Sequence, residues 1–406
     1  MEPKIRLKGF SGKWKNDVIG DIATFSKGRG YSKSDLKQEG NPIILYGRLY
    51  TNYSSAIESV DTFAILQKGA VISKGNEVII PGSGETPEDI AVASSVTQKG
   101  IILGGDLNIL MFDSTIIDPT FAAMSITNSN THNELVGYAQ GKTVVHLHNT
   151  SISKSHLSYP LIDEQKAIVS YFQHLDSLIQ STTKKIESLK QVKAASLQSM
   201  FPQEGETKPR VRFKGFENEW FFTTIGECGR WSKGRLLSKE DISPKGQYKC
   251  IHYGELFILY GEVIGEVHSR TNLQQGCLSQ IGDILFPDSD VTPTGLARCS
   301  ALMEEGVILG GGINILKPNK HIYSPFLSYA INIEKEQIIS RVTGTTVRHI
   351  NSKALSEVVV KLPKDIEEQQ AIADYFTQLD SQIALQSQRL EKLKQIKSAC
   401  LDNMFV

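Results

Sequence analysis

Two kinds of hydrophobic pattern alternate along the chain. Residues 1–160 and 211–363 carry short apolar runs separated by glycine and proline, such as VISKGNEVIIP (71–81) and LSQIGDILFP (278–287). Runs of this length with such punctuation predict β-strands joined by turns. The run FLSYAINIEKEQI (326–338) instead predicts a helix. Both regions are therefore expected to be mixed α+β domains.

Residues 161–201 and 364–406 have a helical pattern and contain neither glycine nor proline. Asp163 and Asp365 stand where helix N-caps are expected. The apolar positions alternate at spacings of four and three, which is typical of a coiled-coil seam, with Thr182 and Gln386 as polar interruptions at matching positions. The predicted seam residues are Ile168, Phe172, Leu175, Ile179, Ile186 and Leu189 in the first helix and Ile372, Phe376, Leu379, Ile383, Leu390 and Leu393 in the second.

The two halves of the chain repeat one another. EQKAIVSYFQHLDSLI (164–179) returns as EQQAIADYFTQLDSQI (368–383), with ten of sixteen positions identical. PKIRLKGF returns as PRVRFKGF, SKGR occurs twice, KGIILGGDLNIL returns as EGVILGGGINIL, and GKTVVH returns as GTTVRH, all in the same order. The chain is therefore a tandem duplication of a unit of about 200 residues.

The duplication predicts how the helices are used. A long amphipathic helix needs a partner for its apolar stripe, and this chain supplies two matching stripes. We expect the helices to pack as an antiparallel coiled coil with pseudo-twofold symmetry, one domain at each end, separated by about 55 Å. The alternative is that each helix folds back on its own domain. The predicted boundaries are 1–160 (domain 1), 161–201 (spacer helix 1), 202–210 (linker), 211–363 (domain 2) and 364–406 (spacer helix 2).

Composition limits the class of protein. The 406 residues include 44 basic and 44 acidic side chains, so any nucleic-acid contact must come from local patches or from partners. No apolar run reaches the length of a membrane span and no signal segment is apparent, so a cytoplasmic protein is expected. The five cysteines form no CxxC pair, which favours free, largely buried thiols over a zinc or disulfide framework.

The sequence contains no recognisable set of catalytic residues. GYAQGKT (137–143) is one residue too short for a phosphate loop, and the second copy has no lysine there. The chain has no Pro-Pro pair and hence no Asn-Pro-Pro-aromatic tetrad of an adenine methyltransferase. Only His146 and His349 are duplicated among the histidines, and either is more often a loop residue than a catalyst. We therefore expect a binding protein without metal or catalytic residues.

The duplicated loops carry side chains that suit DNA. Lysine and arginine on glycine-rich loops reach phosphates, and arginine can also read guanine. Some matched positions change type, as in Arg48 against Glu255, Glu85 against Val291 and Lys142 against Thr345, which is what two different half-sites would need. The DNA-binding candidates are Lys27, Arg29, Lys33, Arg48, Ser83, Thr86, Lys142, Thr143, His146, Lys233, Arg235, Lys239, Ser289, Thr292, Thr345, Thr346, Arg348 and His349.

With these features in the same order twice, the chain resembles the specificity subunits of type I restriction–modification systems over essentially its full length. The resemblance implies two target recognition domains that bind a bipartite double-stranded DNA sequence. It also implies that the paired helices dock two methyltransferase subunits and, through them, restriction–translocase subunits. S-adenosylmethionine, ATP and magnesium would then belong to those partners, and none to this non-catalytic chain. The alternative from another class is a two-headed coiled-coil scaffold whose domains bind protein or glycan ligands.

Overall fold

The structure is a computed structural model that describes residues 2–406. It divides into two compact units, and each unit contains segments from both halves of the chain. Unit 1 comprises Met1–Thr182 and Arg389–Val406, and unit 2 comprises Thr183–Gln388. Each unit therefore combines one α+β domain with the beginning of its own long helix and the end of the other one.

Unit 1 begins with fourteen strands interspersed with six short helices. The strands are β1 (Lys15–Val18), β2 (Ala23–Lys27), β3 (Leu36–Lys37), β4 (Asn41–Ile44), β5 (Ala56–Ile57), β6 (Phe63–Ala64), β7 (Val71–Lys74), β8 (Glu77–Pro81), β9 (Ser83–Gly84), β10 (Ser94–Val96), β11 (Lys99–Leu103), β12 (Leu107–Phe112), β13 (Val145–His146) and β14 (His156–Tyr159). The helices are α1 (Ile19–Ile22), α2 (Arg48–Thr51), α3 (Pro87–Ile90), α4 (Pro119–Asn128), α5 (Asn130–Tyr138) and α6 (Asn149–Ile152).

Two five-stranded sheets form the domain of unit 1, in the orders β2-β12-β8-β10-β5 and β3-β6-β4-β11-β7. The β12–β8 and β12–β2 pairs are antiparallel, with Ile109 opposite Ile79 and Ser26. The strand β8 is buried along its whole length because it is central in its sheet and covered by helix α4. The pairs β1–β14 and β9–β13 are separate ribbons.

Unit 2 repeats this order of elements, without counterparts of α1 and β3 in its described residues. After the long helix α7 (Ile162–Met200), the strands are β15 (Phe221–Thr224), β16 (Gly229–Lys233), β17 (Tyr248–Ile251), β18 (Val263–Ile264), β19 (Arg270–Thr271), β20 (Cys277–Leu278), β21 (Asp283–Pro287), β22 (Ser289–Asp290), β23 (Ser300–Leu302), β24 (Ile308–Leu309), β25 (Ile313–Pro318), β26 (Arg348–His349) and β27 (Val359–Leu362). The helices are α8 (Glu255–Ile258), α9 (Pro293–Leu296), α10 (Ser324–Ile333), α11 (Lys335–Ile339), α12 (Ser352–Ser356) and α13 (Ile366–Met404).

The sheet β16-β25-β21-β23-β18 of unit 2 has the same strand order as the first sheet of unit 1, and a four-stranded sheet β19-β17-β24-β20 accompanies it. The ribbons β15–β27 and β22–β26 match β1–β14 and β9–β13. The predicted α+β class and the tandem duplication are therefore confirmed.

The long helices begin at Ile162 and Ile366, where residues 161 and 364 are the predicted starts, and one predicted cap is wrong. Helix α13 begins at Ile366, directly after Asp365. Helix α7 begins at Ile162, so Asp163 lies inside its first turn and cannot be the N-cap. The backbone carbonyl of Leu161 accepts the Glu164 and Gln165 N–H groups instead. An acidic residue in the first turn is still favourable because it faces the positive end of the helix dipole.

The apolar stripes of the long helices pack on domains as well as on each other. In unit 1, Phe172 is 1% exposed and lies in one core with Phe121 of the domain and Phe405 near the end of α13. In unit 2, Phe376 and Phe326 share a core with Phe201, which directly follows α7. Ile168, Leu175, Thr182, Ile186, Ile372 and Leu379 are buried, whereas Ile179, Leu189, Ile383, Leu390 and Leu393 are half-buried.

Within each unit the two helix segments run antiparallel. In unit 1, Asp176 Oδ1 of α7 pairs with Lys397 Nζ of α13 at 2.5 Å, and the Tyr171 hydroxyl lies 3.5 Å from Cys400 Sγ. In unit 2, Asp380 Oδ1 of α13 pairs with Lys193 Nζ of α7 at 2.6 Å. Lower numbers on one helix meet higher numbers on the other, which is the predicted direction.

The repeated Glu-Gln pair at the start of each helix fastens the helix to its domain. Glu164 accepts two hydrogen bonds from the Arg6 guanidinium, at 2.8 and 2.7 Å, and Glu368 does the same with Arg212, at 2.7 and 2.8 Å. Gln165 bonds the main chain of Asp118, Ile116 and Pro160. These contacts explain why PKIRLKGF and PRVRFKGF recur with the helices: their arginines are the partners of buried carboxylates.

Candidate nucleic-acid interface

In unit 1, backbone hydrogen bonds join four loops into one surface. The Gly28 N–H donates to the Leu107 carbonyl at 2.9 Å, and the Gly82 N–H donates to the Asp106 carbonyl at 2.6 Å. The Leu147 N–H donates to the Gly82 carbonyl at 3.0 Å, which brings in the GKTVVH segment. Residues 27–31, 81–86, 103–107 and 140–147 are called loop cluster 1.

Close backbone approach explains the glycines of this cluster. A Cβ on Gly28 would lie 1.8 Å from the Gly104 carbonyl oxygen, so no side chain fits there. Asp106 has a φ of 56°, in the left-handed region that aspartate tolerates better than most residues. The matching Gly312 has a φ of 82°. The Asp-to-Gly change between the copies therefore preserves the turn rather than a carboxylate.

Unit 2 holds the equivalent loops in the same way. The Gly234 N–H donates to the Ile313 carbonyl at 2.9 Å, and the Asp288 N–H donates to the Gly312 carbonyl at 2.9 Å. The Ile350 N–H donates to the Asp288 carbonyl at 3.0 Å. Residues 233–237, 287–292, 309–313 and 343–350 are called loop cluster 2. The two clusters share one backbone frame.

The DNA-binding candidates of unit 1 differ in their exposure and in whether they already have a partner within the unit. Lys27, Arg29, Lys33, Thr86, Lys142, Thr143 and His146 are exposed. Arg48 is half-buried, and its Nη1 pairs with Asp61 Oδ1 at 2.6 Å. This hydrogen bond lowers the pKa of Asp61. Ser83 is 4% exposed and its hydroxyl donates to Asp106 Oδ2 at 3.1 Å, so it supports the cluster and does not face solvent.

The candidates of unit 2 are more often engaged with neighbouring residues. Lys233, Arg235, Lys239, Thr292, Thr345, Thr346 and His349 are exposed, and Ser289 and Arg348 are half-buried. Lys233 Nζ pairs with Asp288 Oδ2 at 2.8 Å. The Ser289 hydroxyl donates to Asp288 Oδ1, and Arg348 donates to the Gly344 carbonyl. Thr292 and Thr86 accept a backbone N–H at the start of short helices α9 and α3.

The predicted contrast between Arg48 and Glu255 needs correction. Glu255 accepts hydrogen bonds from the His252 N–H at 2.7 Å and from the Ser269 hydroxyl, so its carboxylate is bound within unit 2. Glu255 is half-buried, as Arg48 is, but both of its carboxylate oxygens are engaged within unit 2, so it is less available to a ligand. Glu85 and Val291 are both exposed, as are Lys142 and Thr345. Those two pairs present different chemistry on the same frame.

A cleft of about 1010 Å³ beside loop cluster 1 contains residues that the sequence did not single out. Those residues are Tyr46 and Tyr50, which line the cleft together with the predicted candidates Arg48 and Lys33 and with Glu85. The rings of Tyr46 and Tyr50 are 6.4 Å apart, and burial raises the pKa of the Tyr50 hydroxyl. The repeated Tyr-Gly pair was the available signal, because it begins this segment in both halves.

Two other kinds of feature are absent from residues 2–406. No group of three or more histidine, cysteine, aspartate or glutamate side chains is arranged to hold a metal ion. No helix in this part of the chain combines the length and the apolar character that a membrane span requires.

The comparisons with known proteins agree with the geometry. The family model described as "Type I restriction modification DNA specificity domain" matches twice, over residues 11–191 and 217–395. The type I restriction enzyme MjaVIII specificity subunit of Methanocaldococcus jannaschii is 22% identical over 405 residues, spanning 96% of this chain and 91% of that protein. A putative type I specificity subunit of Mycoplasma pneumoniae is 23% identical over 48% of each chain.

Solved structures share the fold. The type I restriction–modification S subunit from M. genitalium superposes with a TM-score of 0.66 at 16% identity, covering 100% of this chain and 99% of that one. A structure described as the basis of complex assembly and conformational transition of the type I restriction–modification system gives a TM-score of 0.50 at 16% identity, with 97% of each chain covered.

Proposed function

This chain belongs to the family of type I restriction–modification specificity subunits, with two recognition domains, and we propose that it reads a bipartite and asymmetric DNA sequence. Unit 1 would read one half of the target and unit 2 the other. The predicted family is confirmed by the two family-model matches. Which residues touch bases, and which partners bind the helices, belong to the proposal.

One observation carries the proposal: the two loop clusters have the same backbone frame but present different side chains. The Asp106 and Gly312 carbonyls accept equivalent hydrogen bonds, from Gly82 and from Asp288. On that frame, Glu85 stands where unit 2 has Val291, and Lys142 stands where it has Thr345. Because base edges are distinguished by donors, acceptors and methyl groups, different side chains on one frame suit two different half-sequences.

The exposed cations support a DNA ligand. Lys27, Arg29 and Lys142 project from loop cluster 1, and Arg235 projects from loop cluster 2. Side chains of this kind bind phosphates and position a protein on the duplex. Since the chain as a whole is neutral, with 44 basic and 44 acidic residues, we expect tight binding only in the complex with its partners.

Catalysis is proposed to reside in partner subunits. The relatives carry the name specificity subunit, which supports a non-catalytic role for this chain. Two modification subunits would dock on the long helices, and restriction subunits would join through them. S-adenosylmethionine, ATP and magnesium would be bound by those partners. The complex would act in the cytoplasm, where it would encounter DNA.

Methylated-motif sequencing tests the proposal. The chain is expressed with its modification subunit in a host that lacks other adenine methylation, and the control culture expresses the modification subunit alone. We expect a two-part methylated motif with an unread gap only when the chain is present. Absence of a motif, or a motif with one continuous part, would contradict the proposal.

A salt titration separates DNA recognition from a scaffold for proteins or glycans. Binding of the assembled complex to a duplex that contains the motif should weaken linearly on a log–log plot against salt. Each phosphate contact should contribute a slope of about −0.9. A flat dependence would instead favour the scaffold.

A further inference from the structure

Each unit has a short helix at the equivalent place, and the two helices carry different side chains. Helix α2 in unit 1 and helix α8 in unit 2 both follow a Tyr-Gly pair. The glycine before each helix has the same conformation, with φ −61° and ψ −26° at Gly47 and φ −61° and ψ −25° at Gly254. Leu49 and Leu256 anchor the helices, each 1% exposed. The two helices are therefore one structural position with two sequences.

Both helices adjoin the loop clusters. In unit 1, Tyr50 of α2 lies against Gly84 of loop cluster 1, 3.7 Å from where a Cβ would be. In unit 2, the Tyr253 ring packs on Gly312 of loop cluster 2, where an added Cβ would be 2.8 Å away. A ligand that covers a loop cluster is thus close to the adjoining short helix.

The exposed side chains of α8 and its C-cap are apolar although the helix is held firmly. The Arg298 guanidinium donates to the Phe257 carbonyl at 2.9 Å and to the Tyr260 carbonyl at 2.7 Å. Glu255 is bound by Ser269 at the other end of the helix. Even so, Ile258 is 84% exposed and the following Leu259 is 58% exposed. An anchored segment thus holds two adjacent aliphatic side chains in solvent, where they are available for an apolar contact.

The positions of unit 1 that match Ile258 and Leu259 are the exposed polar residues Thr51 and Asn52, and the first residue of α2 is Arg48. Arg48 lies in the wall of the cleft with Lys33 and Glu85. Its Nη1 pairs with Asp61, which is 80% exposed, so one carboxylate orients the guanidinium while its other N–H groups stay available. Arginine held in this way suits the two acceptors of guanine, N7 and O6.

Resting on the proposed function, we propose that α2 and α8 are the base-reading helices of the two units. Arg48 reads a guanine in one half of the DNA target. Ile258, with Leu259, packs on the 5-methyl group of a thymine in the other half. The occupant of this apolar surface is DNA because the Tyr253 ring, two residues before α8, packs on Gly312 of loop cluster 2, and that cluster carries the exposed Arg235.

The test uses the complete complex with its modification subunits and begins by determining the wild-type motif. In methylated-motif sequencing, Arg48→Gln should relax one guanine position in one half-sequence and leave the other half unchanged. Ile258→Ala should relax one thymine position in the opposite half. The controls are Lys99→Gln and Ile281→Ala, which alter exposed residues of the same units and should leave the motif intact.

A binding measurement tests the proposed contact between Ile258 and the thymine methyl group directly. Replacing the thymine with deoxyuridine removes only the methyl group, and should weaken wild-type binding about threefold. The same replacement should not affect Ile258→Ala. Replacing the guanine read by Arg48 should weaken wild-type binding about 10- to 100-fold and affect Arg48→Gln much less.

The outcomes separate this inference from the proposed function. A wild-type complex without a two-part motif overturns both. A wild-type complex with such a motif, whose two halves are unchanged in Arg48→Gln and Ile258→Ala, overturns the inference and leaves the function standing. A variant that fails to methylate is tested by DNA binding, and loss of binding to every sequence equally also overturns base reading by that residue.

Discussion

Units 1 and 2 carry different side chains on equivalent backbone positions. Glu77 and Asp283 begin equivalent central strands, β8 and β21. Glu77 accepts N–H groups from Lys74, Gly75 and Asn76, whereas Asp283 accepts one hydrogen bond, from Gln280. The same contrast recurs at the loop clusters. Duplication has preserved the backbone, while the polar side chains on it have diverged in both structural and exposed positions.

The largest expected effect concerns the carboxylate at the start of each helix. Glu368 is 1% exposed and bonds both Arg212 and Trp220 Nε1, whereas Glu164 bonds Arg6 and no partner for Trp14 Nε1 is present among residues 2–406. Removing one partner of a buried pair costs about 3–5 kcal/mol. Thermal unfolding should show that Glu368→Ala destabilises more than Glu164→Ala. Equal losses, or a loss as large in the exposed control Glu367→Ala, would contradict this difference.

The next effect concerns the ion pairs between the helices. Lys193 is 16% exposed at its side chain and pairs with both Glu262 and Asp380, at 3.0 and 2.6 Å. Lys397 is 31% exposed and pairs with Asp176. We expect Lys193→Met to lower the free energy of unfolding by about 1–3 kcal/mol and Lys397→Met by less than about 1 kcal/mol. A larger loss of unfolding free energy in Lys397→Met than in Lys193→Met would contradict the expectation that the more buried lysine, with two partners, contributes more.

Substitutions at the equivalent positions Glu77 and Asp283 are expected to change the free energy of unfolding in opposite directions. Burial raises the pKa of Asp283, so the folded state holds the proton more tightly than the unfolded state does. Its contribution is therefore most favourable at low pH and is lost as the pH rises through the folded pKa. Asp283→Asn should raise the free energy of unfolding by on the order of 1 kcal/mol at pH 7, and by less at pH 4. Glu77→Gln should destabilise, because an amide cannot accept three N–H groups as well.

The comparison for Asp283 uses unfolding temperatures at the two pH values. Asp290→Asn, a half-buried residue on the neighbouring ribbon, serves as the control. A destabilised Asp283→Asn at pH 7 would mean that the carboxylate charge is needed in unit 2 as well.

The smallest expected effect concerns the reactivity of the cysteine thiols and not the stability of the fold. Burial raises the pKa of the Cys228 and Cys299 thiols to about 12 and that of Cys250 to about 11. At pH 8 their thiolate fractions are about 0.001 or lower, so they should react slowly with iodoacetamide. Cys277 and Cys400 are partly exposed and should be modified first. Mass spectrometry of the labelled native chain checks this, and early labelling of Cys299 would contradict the described core.

The sequence predicted the fold well because its signals were local and duplicated. Repeated glycines, the Glu-Gln pair and the four-three spacing each correspond to an observed turn, contact or buried stripe. The reason for the PKIRLKGF repeat could not be predicted, because Arg6 meets Glu164 across 158 positions of sequence. The burial of Ser83 was missed for a related reason, because its partner Asp106 lies 23 positions away in the sequence. Helices α2 and α8 were missed because four residues give no helical period.

The most direct test of the central claim is exchange of one recognition domain. Residues 1–155 are replaced by the equivalent domain of another family member that carries an arginine and an aromatic residue at the positions of Arg6 and Phe121, so that contacts with Glu164 and Phe405 persist. The hybrid is expressed with the modification subunit, and its methylated motif is sequenced. We predict that one half of the motif changes to the donor's half-sequence while the other half is unchanged. A simultaneous change in both halves would contradict independent reading by the two units.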